Sequence, residues 1–209
     1  RSRGLGDVYK RQNKGNVKGV QGAGFSNVTL GDLDGIQAAG FINRAKKVNG
    51  FQIAFLNIAD SFETGLPIGF LSFVKNGYHH LELESGLEMN AVLSFKTGVD
   101  KFYNIISVGA HFEEDNLAYA AGYGIGTNVL LNNKSSLNFD LLAYHLFEAN
   151  RSFLDVNHLS RFKIIYNYQL LNGLSIYGGP SLNFRVYDSS LSSSLTAIPE
   201  NTIHSYTQN

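Results

Sequence analysis

The sequence predicts an all-β chain, with a short solenoid-like β-repeat segment followed by an antiparallel up-and-down β-barrel of about eight strands. Three observations carry this. Glycines recur at a nearly constant interval over the first third of the chain, apolar and polar residues alternate with period two over most of the rest, and no apolar run reaches the length of a transmembrane helix. The composition agrees: of 209 residues only 16% are charged, while Gly (22), Phe (15) and Tyr (11) are abundant. An ordinary soluble domain carries roughly 25% charged residues. The absence of Cys excludes a disulfide scaffold, a thiolate metal site and a cysteine nucleophile. A formal net charge of zero offers no basic stripe, so no nucleic-acid partner is expected.

Residues 1–12 are set aside first. Asp7-Val8-Tyr9-Lys10-Arg11-Gln12 looks like the in-frame translation of a sequencing-library adapter and has no hydrophobic periodicity, so this segment is expected to be a non-native scar. Without it, 13 Lys and Arg face 16 Asp and Glu, and the remaining chain is mildly acidic.

Residues 13–76 form the repeat segment. In register they read Val17-Lys-Gly-Val-Gln-Gly-Ala-Gly-Phe-Ser-Asn27, Leu33-Asp-Gly-Ile-Gln-Ala-Ala-Gly-Phe-Ile-Asn43 and Val48-Asn-Gly-Phe-Gln-Ile-Ala-Phe-Leu-Asn57, with a degenerate fourth copy over 64–72. Gly19, Gly35, Gly50 and Gly65 are spaced 16, 15 and 15. So short a unit cannot bury its own apolar face and must stack on its neighbours. Gly and Asn at fixed offsets are expected to mark tight corners with positive φ. A two-sided solenoid with about 15 residues per coil is preferred over a meander of one strand per unit, because the Asn-to-Gly interval recurs at one place, as stacking requires. Gln21, Gln37 and Gln52 would then form an amide ladder, structural before it is a binding stripe. Pro67 takes the fourth Gln position and should end the ladder.

Residues 77–209 are assigned to the barrel. Candidate strands are 79–85, 90–98, 101–112, 118–129, 137–144, 161–169 and 174–187. In the last, Leu174, Ile176, Leu182, Phe184 and Val186 share one face and Ser175, Tyr177, Asn183 and Arg185 the other. In 118–129 an apolar row opposes Ala118, Ala120, Gly122, Gly124 and Gly126, small residues suited to a narrow lumen. Connections alternate between short and long, and the strands run about 10–14 residues, the pattern of an outer-membrane barrel. Arg161, Lys163, Arg185, Lys96 and Asp140 fall on the polar faces, costly in an apolar core but reasonable in a polar lumen. Tyr103, Tyr119, Tyr166, Tyr168 and Tyr187 near strand ends suit interfacial girdles. Alternation alone does not say which face points inward, so a soluble lipocalin-like barrel binding a small apolar ligand stands as the alternative. Outward Leu174, Ile176, Leu182 and Phe184 would favour lipid.

The repeats, together with the Lys75-Asn-Gly-Tyr78 junction and the later strands, resemble a bacterial family of surface-repeat proteins in which G-[VIF]-Q-x-[AG]-x-x-N units precede an outer-membrane β-barrel. The resemblance implies the bacterial outer membrane and cell surface as location, and it supplies no catalytic residues. Barrels of this kind end on a strand with a terminal aromatic, whereas this chain stops in polar sequence; the last strand is therefore expected to be missing.

Catalytic constellations are weak. Gly122-Tyr-Gly-Ile-Gly126 lies inside a strand alternation rather than at a strand-to-helix turn, so it is not a phosphate loop. His79 and His80 point to opposite faces, His111, His145 and His158 could converge near one rim, and Glu113-Glu114-Asp115 is a solvated loop before it is a Ca²⁺ site. No cofactor, metal site or enzymatic activity is expected. The one hypothesised site is a lumen charge network of Asp140, Arg161, Lys163 and Arg185. The expected function is that of a non-enzymatic outer-membrane surface protein with a structural, adhesive or interaction role, its partners being outer-membrane lipid and surface partners met through the long loops.

Overall fold

The computed structural model describes residues 9–86, 88–113, 116–148 and 157–187. Among these every regular element is a strand, and the strands form two sheets joined end to end. The first comprises β1 (Lys10–Asn13), β2 (Val17–Ala23), β3 (Ser26–Thr29), β4 (Leu33–Ala39), β5 (Ile42–Ile53), β6 (Leu56–Ile68) and β7 (Leu71–Val74). All its pairings are parallel, which excludes the meander and makes this a two-sided solenoid. The register superimposes the repeat as the sequence aligned it: Gly19, Gly35, Gly50 and Gly65 pair in succession, as do Gln21, Gln37, Gln52 and Pro67.

Glycine recurs because of how closely the coils approach. The four residues have φ of 110°, 139°, 138° and 85°, and a Cβ on Gly35, Gly50 or Gly65 would collide with the carbonyl oxygen of the glycine in the preceding coil. Asn27, Asn43 and Asn57 do not mark exposed corners as the sequence suggested. They lie within strands, fully buried, and link coil to coil by Asn27 Nδ2 donating to Asn43 Oδ1 (3.0 Å) and Asn43 Nδ2 to Asn57 Oδ1 (3.2 Å). The amide can donate both to the neighbouring ladder and to a main-chain carbonyl, which is what a polar residue enclosed by a narrow coil requires. Leu33, Val48, Ala45 and Ala59 fill the rest of the interior. The solenoid also extends into the segment set aside at the front: β1 pairs in parallel with β3, and Tyr9 stacks on Phe25.

The second sheet is antiparallel: β8 (Tyr78–Glu84), β9 (Ala91–Val99), β10 (Phe102–Glu113), β11 (Asn116–Leu130), β12 (Ser135–Glu148), β13 (Asn157–Leu171), β14 (Leu174–Gly178) and β15 (Ser181–Tyr187), paired in sequence order. The uninterrupted strand expected over 174–187 is divided at Gly179 and Pro180, since proline has no N–H to give the ladder. The register onto β13 continues across the break, and Ile164 N–H donates to Pro180 O (3.1 Å). The sheet curls into a half-barrel. Asn138 of β12 donates to the Tyr78 hydroxyl of β8 at 2.7 Å, so strands four apart touch across the interior. Gly122, Gly124 and Gly126 make this curl possible: a Cβ there would strike Tyr144, Leu142 and the Asp140–Tyr103 pair respectively. Strand β8 and the β14–β15 run point the same way, so antiparallel closure between them takes one further strand. The expectation of a missing last strand falls on 188–209, outside the described residues.

Short turns over 100–101, 131–134 and 172–173 lie at one end of the half-barrel, and the strand ends that flank 85–90, 114–115 and 149–156 at the other; β10 and β11 are only two residues apart, so the expected alternation of short and long connections fails there. The solenoid enters at the short-turn end. Its last coil rests on the outside of the wall, where Thr97 Oγ1 donates to Ser72 O (3.0 Å), Asn104 Nδ2 to Gly69 O (2.9 Å), and Phe70 stacks on Tyr123 with ring centroids 4.6 Å apart.

Candidate functional site

The period-two rule divides each strand of the half-barrel into two rows, and the inward row carries the charge. Lys96, on β9, is fully enclosed, with its ammonium 2.7 Å from Glu82 Oε1 of β8 and 2.7 Å from Asp140 Oδ2 of β12. Tyr103 of β10 donates its hydroxyl to Asp140 Oδ1 at 2.5 Å and lies beneath the Lys96 ammonium, 5.4 Å from ring centroid to Nζ. Two carboxylates, one ammonium and one phenol from four strands thus meet at one level of the lumen.

Nearer the long-connection end lies a second group. Arg161 of β13 donates from Nη1 to Glu84 Oε1 (2.7 Å) and from Nη2 to Glu88 Oε2 (3.1 Å), and its Nε reaches Asn183 Oδ1 (3.0 Å). Lys163 ion-pairs with the other oxygen of Glu84 at 2.8 Å. Asn183 in turn donates to Glu88. The guanidinium thus bridges two carboxylates by one charge-assisted hydrogen bond to each. Between and above these groups sit Met89, Val92, Ile105, Leu142, Leu146 and Leu159, so the lumen is filled by side chains.

The expected network of Asp140, Arg161, Lys163 and Arg185 is therefore present in part and wired differently. Asp140, Arg161 and Lys163 do face inward. Asp140 and Lys163 are directly paired in register, yet they do not bond to each other: Lys163 crosses the lumen to Glu84, and Asp140 takes Lys96. On the concave face of a curled sheet the inward side chains converge, so strands that are not neighbours also come within ion-pair reach. Arg185 hydrogen-bonds Asn157 Oδ1 (3.0 Å from Nη2). The surplus of positive charge in the expected set is met by Glu82, Glu84 and Glu88, which the sequence argument left out. Glu82 and Glu84 share parity with Tyr78 and Lys96 with Ser94, so extending the period-two rule to β8 and β9 finds them. Glu88 lies in a connection and carries no such signal.

The other candidates resolve simply. Gln21, Gln37 and Gln52 are buried inside the solenoid, Gln37 Nε2 donating to Gln21 Oε1 (2.7 Å) and Gln52 Nε2 to Gln37 Oε1 (2.8 Å), a structural ladder with no face to solvent. Tyr119, Tyr166 and Tyr168 are exposed on the outer face, but Tyr103 is inside the lumen rather than in a girdle, because its strand position has inward parity. The Tyr187 side chain and the Glu113-Glu114-Asp115 cluster lie outside the described residues. His145 and His158 pair across β12 and β13 with ring centroids 5.0 Å apart, while His111 stands opposite Ala118; among the described residues no group of three metal-ligating side chains forms. A polar cavity of about 480 Å³ opens between the free edges of β8 and β14, lined by Tyr78, Glu82, Asn128, Asn167 and Tyr177.

The outward row is predominantly apolar on every strand, with polar exceptions such as Thr97 and Asn104 under the last coil. Leu81, Leu83, Phe95, Val108, Leu141, Leu174, Ile176, Leu182, Phe184 and Val186 are all exposed, all but Phe95 by more than half. One signal in the repeat went unused: Phe25, Phe41, Phe55 and Phe70 recur two residues before the buried Asn or Ser and stack face to face up one rim, with centroids 5.1, 5.6 and 4.8 Å apart. Comparison with protein-family models, with curated proteins and with solved structures gave no match to the chain.

Proposed function

We propose that this chain is a non-enzymatic outer-membrane protein: a side-chain-filled barrel wall that acts as an anchor, with the longer connections over 85–90 and 149–156 at one end for interactions outside and a β-solenoid at the other. The observation that carries the reading is the inversion of polarity. Lys96 and Asp140 are wholly enclosed, Arg161 and Lys163 nearly so, while Leu and Phe side chains cover the convex face. In water this arrangement would leave a contiguous apolar surface far larger than the few hundred Å² that soluble monomers tolerate. Lipid solvates it at no such cost. A lipocalin-like binder needs an apolar interior cavity; here much of the interior holds ion pairs and packed side chains, and the cavity of about 480 Å³ beside β8 and β14 is lined in part by Glu82, Asn128 and Asn167. Because the lumen is filled, the proposed role is structural or adhesive rather than that of a porin.

In outer-membrane barrels the short turns face the periplasm. The solenoid, entering at that end, belongs on the periplasmic side under this reading, and surface contacts fall to the connections over 85–90 and 149–156. The test is to refold the chain into detergent micelles, compare its gel mobility with and without boiling, and follow it through urea-washed membrane fractions. A heat-dependent mobility shift and retention in the washed membranes are expected. Solubility without detergent would overturn the proposal.

A further inference from the structure

The solenoid is amphipathic across its width. Each coil makes two connections, and they fall on opposite edges. The connections from the longer to the shorter strand carry the aromatic ladder of Phe25, Phe41, Phe55 and Phe70. The opposite edge, where β5 and β6 turn within their own length, carries Lys46, Lys47, Asp60 and Glu63, all exposed, with Lys47 and Glu63 3.5 Å apart. The broad face beside the aromatic rim grows more apolar toward the barrel: Val20, Ile36 and Phe51 occupy one row, Gly22, Ala38, Ile53 and Ile68 the next. On the other broad face Val28 and Arg44 give way to Ile58 and Phe73.

The aromatic rim is also continuous with the barrel's convex surface. Phe70 stacks on Tyr123, which has the same outward parity as Tyr119 and Ile125. We infer that the barrel-proximal coils of the solenoid lie in the membrane interface, with the rim of Phe55 and Phe70 and the side chains of Ile53 and Phe73 immersed among lipid and the Lys46–Glu63 rim in water. The inference rests on the membrane reading of the barrel. At about 4.8 Å per coil, the two coils nearest the wall span a distance comparable to the 5–10 Å that interfacial elements sink into the headgroup and acyl boundary. The stacking also selects lipid over a sugar ligand. Successive rings cover one another's faces and leave only their edges outward, and a saccharide stacks on a free ring face. Ring edges suit a featureless apolar medium.

The chain contains no Trp, so a single inserted Trp reports its own surroundings. Four variants of the full chain are reconstituted in phosphatidylcholine vesicles: Phe55→Trp and Ile53→Trp on the apolar rim, Lys46→Trp on the charged rim, and Leu141→Trp on the barrel's outer face. Emission is measured with dibrominated lipid and, separately, with aqueous iodide. Phe55→Trp and Ile53→Trp should each lose about half their emission to brominated lipid, as Leu141→Trp does, while only Lys46→Trp is quenched by iodide. If Leu141→Trp is quenched by lipid but both rim variants respond to iodide, the solenoid stands in water and this inference falls while the barrel reading survives. Rim variants quenched by neither agent would mean that protein, such as a second copy, covers the rim, which equally overturns it. Failure of lipid to quench Leu141→Trp would remove the barrel reading and this inference together.

Discussion

Lys96 is bound on two sides by carboxylates for which it is the direct ion-pair partner, so its loss would leave Glu82 and Asp140 enclosed without that contact. Removing one partner of a buried ion pair costs about 3–5 kcal/mol. Lys96→Met keeps most of the packing volume and isolates the charge effect. It should markedly lower the urea concentration at which the heat-modifiable band is lost. Lys18→Met, which breaks the exposed 3.6 Å pair with Asp34, should shift solenoid unfolding by less than about 0.5 kcal/mol. Equal effects at the two sites would mean that the lumen is hydrated and the network contributes little.

Among elements, the solenoid coil makes the sharpest demand on sequence. Gly50 holds a φ of 138° and has the Gly35 carbonyl where its Cβ would be, whereas Gly22 faces open space and is matched by Ala38 in the next coil. Gly50→Ala should therefore destabilise the solenoid by about 2 kcal/mol or more, and Gly22→Ala by under about 0.5 kcal/mol, read from far-UV circular dichroism melts. The same contrast explains what the sequence could tell. Fixed spacing showed the coils, since stacking repeats identical contacts, and period two showed the strands and their inward rows. The direction of the Asn side chains was hidden, because Asn serves equally at turns and in buried ladders. Long-range partners such as Glu84 for Arg161 were hidden too: parity gives the face of a residue, and only the curvature of the sheet decides which inward residues meet. Glu88 had no periodic neighbours to betray it.

At the scale of the molecule, the two sheets share an interface that should couple their unfolding. Tyr123 takes part in two of its contacts, the stack on Phe70 and a hydroxyl placed 2.9 Å from Asn104 Nδ2, which in turn donates to Gly69 O. Asn104 has outward parity yet is wholly buried, because the last coil covers it. The coil's edge carbonyl at Gly69 is thereby satisfied by the barrel rather than by water, and the solenoid gains a cap that a free end would lack. An aromatic stack contributes about 0.5–1.5 kcal/mol beyond the area it buries, and the hydrogen bonds behind it add to that. Tyr123→Ala should therefore detach the melting of the solenoid from that of the barrel, so that circular dichroism records an earlier transition while heat-modifiability is kept. Tyr119→Ala, on the same strand and face but away from the coil, is the matched control and should leave a single transition. If Tyr123→Ala also leaves one transition at the original temperature, the coupling does not run through the aromatic stack, and the hydrogen bonds of Thr97 to Ser72 O and Asn104 to Gly69 O carry it instead.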